Sequence, residues 1–292
     1  MSTRSVAERE RLGLLLVLLS AVGFGTLGIF GVYAQRAGLS IPTVLVYRFL
    51  VAAALVWTLL LATGRAELLR GRVLLIALAL GGLGYATQSG LYFLGLEFMT
   101  AGLVAVVLYT YPAFVVLIAV AAIGERVTRE MVAALVLSLV GIALVSGATP
   151  AGASLVGIVV VLGAALAYSF YITVSRAVLR TVDPLVLSAH VLPAAGVTFL
   201  VVGSATGDLA VPTAPVPWLI LLSIAVLATA VPVVTFFAGL ELVGASRAGI
   251  VSTAEPPVTV ALGALLFAEP VGVVTVLGGL SILAGVVLLE RR

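Results

Sequence analysis

Apolar runs of about 20 residues follow one another along the whole chain, each closed by a short cluster of Arg, Gly, Pro or Ser. A bilayer core is about 30 Å thick and a helix rises about 1.5 Å per residue, so runs of this length are what spanning helices require. The pattern predicts helices near 12–34, 42–62, 73–96, 101–123, 130–147, 153–175, 184–203, 217–240, 246–267 and 271–289. The first, from Leu12 to Tyr33, is too long for a signal-peptide core and is expected to stay in the protein. Arginine tests the count, because the chain has no lysine. With the N-terminus in the cytoplasm, Arg4, Arg9, Arg11, Arg65, Arg70, Arg72, Arg126, Arg129, Arg176, Arg180, Arg247, Arg291 and Arg292 fall at cytoplasmic ends. Arg36 alone falls at an outer end, and Arg48 lies within a helix. One missed or invented helix would scramble this asymmetry, which is the one the positive-inside rule demands. A multi-pass membrane protein with both termini cytoplasmic is expected.

Composition agrees with the pattern. The 292 residues are 63% hydrophobic and 9% charged, with a mean hydropathy of +1.33, whereas soluble domains are about 25% charged. The absence of cysteine excludes disulfides, iron-sulfur ligation and thiol catalysis, and a single histidine leaves no His-rich metal site. No metal and no cofactor are expected. The net charge of +3 is scattered among short connections, so it reports topology and gives no nucleic-acid footprint.

The chain also repeats itself. Gly95-Leu96-Glu97 returns as Gly239-Leu240-Glu241, Pro112 as Pro256, Glu125 as Glu269 and Gly141 as Gly285, all displaced by 144 positions. Two five-helix repeats, 1–148 and 149–292, follow from that offset. An odd number of spans per repeat inverts the second copy, which is the architecture of alternating-access carriers. The expected fold class is therefore an all-α membrane protein, ten transmembrane helices arranged as two inverted repeats around a central cavity.

Several residues could carry chemistry inside such a cavity. Pro112, and Pro256 with Pro257, stand halfway along repeat-equivalent helices, where a missing N–H bends a helix and leaves a carbonyl to be satisfied by protein or water. They read as hinges flanking a binding site or as packing kinks. Glu255 is the only acidic residue deep inside a predicted helix. A charge there costs several kcal/mol unless paired or neutralised, so it either serves substrate or proton or belongs to a buried structural pair. Arg48 and His190 occupy equivalent places, six residues after Pro42 and Pro184. Arg48 lines a pathway or snorkels to the interface; His190 relays protons or makes one satisfied hydrogen bond. Phe24, Tyr85, Gln88, Tyr92, Tyr109, Tyr168 and Tyr171 make an aromatic and amide set, and Tyr85, Gln88 and Tyr92 share one helical face. Such a face suits an amphipathic organic solute better than an inorganic ion, the alternative being packing or lipid contact. Glu125 and Glu269 close two helices and read as structural.

Together these residues resemble the drug/metabolite transporter superfamily in its ten-helix EamA-type branch, over nearly the whole chain. Phe24-Gly25 is similar to that family's Trp-Gly signature, with phenylalanine for tryptophan. Pro42 through Arg48-Phe49, and Ala101 through Pro112 to Gly124-Glu125-Arg126 and Gly141, resemble its other conserved-looking stretches, and Pro256, Glu269 and Gly285 are similarly placed in the second copy. The acidic residue before the ninth-helix proline and the aromatic face resemble those of amino acid exporters within the family. The resemblance implies a carrier in the bacterial inner membrane, not an enzyme, exporting neutral and aromatic amino acids and similar metabolites. Its expected partners are that small-molecule substrate, amphipathic drugs in a rival reading, and membrane lipid, with no nucleic acid and with a monomer as a plausible state. Rival readings are a proton-coupled antiporter of cationic drugs and a non-transporting membrane partner.

Overall fold

The computed structural model describes residues 3–147 and 154–290, and all regular structure among them is helical. Ten helical segments follow in order: α1 Thr3–Arg36, α2 Ile41–Ala62, α3 Gly71–Phe98, α4 Ala101–Ile123, α5 Arg129–Val145, α6 Leu155–Val178, α7 Pro184–Thr206, α8 Pro215–Val243, α9 Ala245–Phe267 and α10 Val273–Glu290. Eight are long and apolar enough to cross a bilayer, and the apolar stretch Val273–Leu289 is shorter. The 17 residues of α5 open on Arg129-Glu130. The helix bounds of the second half repeat those of the first at an offset of 144 to within two residues, except that α1 begins eight residues earlier than α6 by this offset. The division expected between 148 and 149, and the placement of Arg291 and Arg292, lie outside the described residues.

Short polar side chains start the helices. Ser40, Thr100, Thr128 and Ser154 each accept a backbone N–H from the first turn, and Asp183 accepts those of Leu185 and Val186. Pro42, Pro184 and Pro215 stand in first turns, where no N–H is missed. Pro215 and Pro217 open α8 two residues before the start expected at 217. Gly124 ends α4 in the left-handed conformation, at φ 69°. Its equivalent at the end of α9 is Ala268, held at φ 55° with a Cβ that this region disfavours.

Four of the segments are broken midway, in equivalent pairs. The α-helical ladder of α4 stops at Leu108 and restarts at Tyr111, and that of α9 passes through a 3₁₀ turn over Ser252–Ala254. Each second half has proline in its first turn, so the breaks lie where the prolines predicted bends. The other pair is π-helical: α3 contains a π-helical turn over Leu80–Tyr85 with no proline beside it, and α8 one over Val226–Ala230, followed by Pro232 in the first turn of the restarted helix.

The halves interlock. In the first, α1 packs on α8 and α9, while in the second α6 packs on α3 and α4; α2 pairs with α7 and α5 with α10. Small residues allow the approach. A Cβ on Gly239 would meet the Gly13 carbonyl at 2.7 Å, and one on Gly141 would meet the Gly278 carbonyl at 2.6 Å. Contacts between connections define two ends of the bundle. At one, Arg247 pairs with Glu10 at 3.2 Å, Arg65 pairs with Asp183, and the Glu125 carboxylate accepts from the Ala245 and Ser246 amides at 2.7 and 3.0 Å. At the other, Ser40 donates to the Asp208 carbonyl and Arg36 lies over the Phe267 ring at 5.0 Å. The first is the basic end, since Arg126, Arg129, Arg176 and Arg180 also stand at helix ends joined there. Glu125, at the end of α4, thus caps the first turn of α9 in the other half.

Three substitutions test this packing. Gly141→Ala drives a methyl into backbone of α10 and is expected to lower stability in detergent micelles by about 1–3 kcal/mol, whereas Gly90→Ala, with open space around it, should be neutral or better. Ala268→Gly relieves the left-handed residue and is expected to raise stability by about 1 kcal/mol. Denaturant titration followed by circular dichroism reads all three.

Candidate functional site

A cavity of about 800 Å³ occupies the middle of the bundle and runs to the end opposite the basic one, past Gln35, Ile41, Gly102 and Ser146. It is lined by Phe24, Arg48, Tyr85, Gln88, Tyr92, Tyr109, Tyr168 and Glu255, so eight of the ten residues picked from the sequence as substrate contacts face one space. Among the described residues, Arg48 is its one basic residue and Glu255 its one acidic residue.

The broken helices place both charges. Glu255 stands where α9 restarts after its 3₁₀ turn, and Tyr109, in the break of α4, lines the same cavity. Around the break, the Tyr111 hydroxyl reaches the Gly249 carbonyl at 3.3 Å, and Ser169 donates to the Tyr111 carbonyl at 3.0 Å. Interrupted helices are tolerated at membrane depth when neighbouring side chains satisfy such groups. Pro256 lines the cavity. Pro112 is buried beside it, and Pro257 turns away to a smaller apolar cleft with Val145 and Gly279.

Arg48 sits on α2 with only 4% of its surface exposed. Its Nε–H donates to Thr229 Oγ1 at 3.2 Å and one Nη2–H to the Tyr85 hydroxyl at 3.4 Å, while the guanidinium stacks over Phe49 at 4.7 Å. Tyr85 and Thr229 are repeat equivalents, and both belong to the π-helical turns. Sequence reasoning missed Thr229. Its signal is the offset of 144 from Tyr85. No carboxylate lies within 4 Å of the guanidinium; the ion pairs among the described residues are Arg65–Asp183 and Arg247–Glu10.

A string of rings joins the two charges. From Tyr109 it passes to Tyr111 (5.9 Å between centroids), Tyr168 (4.7 Å), Tyr171 (5.9 Å), Tyr85 (5.8 Å) and Phe49 (4.9 Å). Such separations suit tilted and edge-to-face contacts. Tyr171 is the middle member, 3% exposed, and it supports the wall from behind without lining it. Gln88 lines the cavity with its carbonyl accepting from Ser89 at 3.2 Å.

His190 is not part of this site. It is 6% exposed near the basic end, where its Nε2 accepts the Leu69 N–H at 3.3 Å and its Nδ1 faces the Val186 carbonyl at 2.8 Å. Acceptance at Nε2 places the proton on Nδ1, a neutral imidazole with both nitrogens used. Trp57 packs on the ring at 5.2 Å and donates to the Ala189 carbonyl at 2.8 Å. That carbonyl lacks its helical partner because Pro193, four residues on, has no N–H.

Comparison with known proteins returns one family twice. The model of the EamA-like transporter family matches residues 11–147 and again 155–291. The chain is 27% identical over 278 residues to "Uncharacterized transporter YcbK" of Bacillus subtilis (strain 168), covering 91% of this chain and 88% of that protein. It is also 26% identical to an "Uncharacterized transporter" of Archaeoglobus fulgidus, over 73% of this chain and 76% of the other. A crystal structure superposes with a TM-score of 0.79 at 20% identity, covering 94% of this chain and 95% of the other, which is a likeness of fold.

The His190 geometry makes a prediction that separates scaffold from site. His190→Ala leaves the Leu69 amide without its acceptor and should destabilise the protein by about 1–3 kcal/mol. Ligand affinity at the cavity should stay within twofold of wild type. Parallel unfolding curves and isothermal titration on the same preparation check both halves of the statement.

Proposed function

The chain belongs to the EamA-like transporter family, and on that premise we propose that it exports neutral and aromatic amino acids and similar metabolites across a bacterial inner membrane by alternating access. The observation that carries this reading is the single pair of opposite charges, Glu255 and Arg48, facing one cavity with tyrosines between them. A zwitterion does not cross hydrocarbon unaided, so a carrier must replace much of its hydration. Glu255 receives the ammonium group, Arg48 with Gln88 the carboxylate, and Phe24, Tyr92, Tyr109 and Tyr168 the side chain. The likeness of the Glu255-Pro256 segment and the aromatic face to those of the aromatic amino acid exporter YddG supports the same substrate class.

In this reading the repeats 1–148 and 149–292 are inverted copies that rock about the cavity, with Pro112, Pro256 and Pro257 as hinges in α4 and α9. The basic end faces the cytoplasm by the positive-inside rule, which leaves the cavity open to the opposite side. Two states related by the repeat lie close in free energy, and a solute touching both halves biases neither strongly. A second reading, proton-coupled antiport of cationic drugs, is favoured by one observation: Glu255 faces the cavity with no Arg or His within ion-pair distance, so a cation or a proton can satisfy it.

Glu255→Gln decides between them. The amide keeps the shape while removing the charge. Efflux of a panel of amino acids from proteoliposomes, with and without a pH gradient, should fall at least tenfold for this variant. Wild-type rates would remove Glu255 from the site and end the zwitterion reading, and loss of the response to pH alone would favour the antiporter.

A further inference from the structure

We infer that Thr229 sets the cavity's selectivity for carboxylate-bearing solutes, by fixing the Arg48 guanidinium between the two π-helical turns. The inference deepens the amino acid reading above and rests on it for the choice of solute. It concerns a residue that touches Arg48 and not the solute, so Thr229 is a positioning residue.

Three features of the geometry lead there. A guanidinium has five N–H donors; two are used, by Thr229 and Tyr85, and three are left without an acceptor among the described residues, on a side chain that is 4% exposed and lines the cavity. A buried cation with open donors and no carboxylate beside it calls for an anion. Next, the hydroxyl of Thr229 has one proton, and it is committed to the Ile224 carbonyl at 2.9 Å. Towards Arg48 the oxygen can therefore only accept, and it accepts from Nε. With Nε tied back and the plane stacked on Phe49, the Nη edge is the part presented to the cavity, where two parallel N–H groups match a carboxylate in bidentate geometry. Finally, the site favours a monoanion. Glu255 is in the same cavity and no second cation lines it, so a phosphate dianion would gain one positive partner and face one negative charge.

Thr229 is fully buried within α8, while Arg48 comes from α2 and Tyr85 from α3. The π-helical turn over Val226–Ala230 is what brings its hydroxyl back five residues to Ile224. In an α-helix a threonine hydroxyl reaches the carbonyl three or four residues earlier, and the oxygen would not stand in the same place.

The test uses purified full-length protein and three related probes: phenylalanine, 3-phenylpropionate, which lacks the ammonium group, and phenethylamine, which lacks the carboxylate. Affinities of wild type, Thr229→Val and Thr229→Ser are measured by isothermal titration in micelles, with phenylalanine efflux from proteoliposomes alongside. Thr229→Val, of the same shape without the acceptor, is expected to weaken phenylalanine and 3-phenylpropionate about tenfold or more and to leave phenethylamine within twofold. Thr229→Ser restores the acceptor and is expected to bind all three like wild type. Equal weakening of all three probes by Thr229→Val would make the residue a packing element and overturn the inference, as would unchanged carboxylate binding or a wild type that binds no carboxylate. Failure of the export reading is seen separately: wild type that binds 3-phenylpropionate in a Thr229-dependent way but moves no phenylalanine keeps the site and loses the substrate.

Discussion

A buried guanidinium without a carboxylate partner is the constraint around which the centre of this protein is arranged. Removing a positive charge from water costs several kcal/mol even after relaxation, and here the compensation from the protein is partial: two hydroxyls and one aromatic face. Each element of that compensation belongs to a different segment. Phe49 follows Arg48 on α2, Tyr85 closes the π-helical turn of α3, and Thr229 lies in that of α8. Moving any of these helices relative to the others changes how well the charge is solvated, so the packing of the inner helices and the chemistry of the cavity are one problem.

The interlocking of the halves follows from the same economy. Lipid tails are as apolar as leucine, so association within the bilayer depends on close packing and on hydrogen bonds more than on burial. Glycine supplies the first between α1 and α8 and between α5 and α10. Serine and threonine supply the second, with Ser20 on the Pro232 carbonyl at 2.8 Å, Thr259 on the Gly25 carbonyl at 2.9 Å and Ser281 on the Leu137 carbonyl at 2.9 Å. All three bonds join the first half to the second.

Much of this was legible in the sequence because lipid leaves few choices. Helix positions follow from the length of apolar runs, and the breaks in α4 and α9 follow from Pro112 and Pro256 with an error of only a few residues. The cavity wall was legible too, since Tyr85, Gln88 and Tyr92 are spaced to share a face. What could not be read is what depends on the π-helical turns, since Pro232 beyond the turn of α8 signals a bend but not its kind, and the turn of α3 has no proline beside it. The π-helical turns contain Gly81, Gly82 and Gly84 in one half but only Val, Leu, Ala and Thr in the other, and Thr229 is one more threonine in a membrane helix until its neighbour at 3.2 Å is known. His190 misled for the opposite reason. An ionisable residue in a span reads as functional by default, yet its second nitrogen is used by the amide of Leu69, a loop contact 121 residues away in sequence. Tyr171 has the right character and the right helix, and lies one layer too deep.

The contact between Glu125 and the start of α9 carries information in an unusual place. The carboxylate's hydrogen bonds go to the N–H groups of Ala245 and Ser246, and every residue type except proline offers the same group. Drift at those two positions therefore costs the contact nothing, and no compensating change is demanded at 125. A search for co-varying positions would pass over one of the firmest links between the two halves, because half of it is written in the main chain.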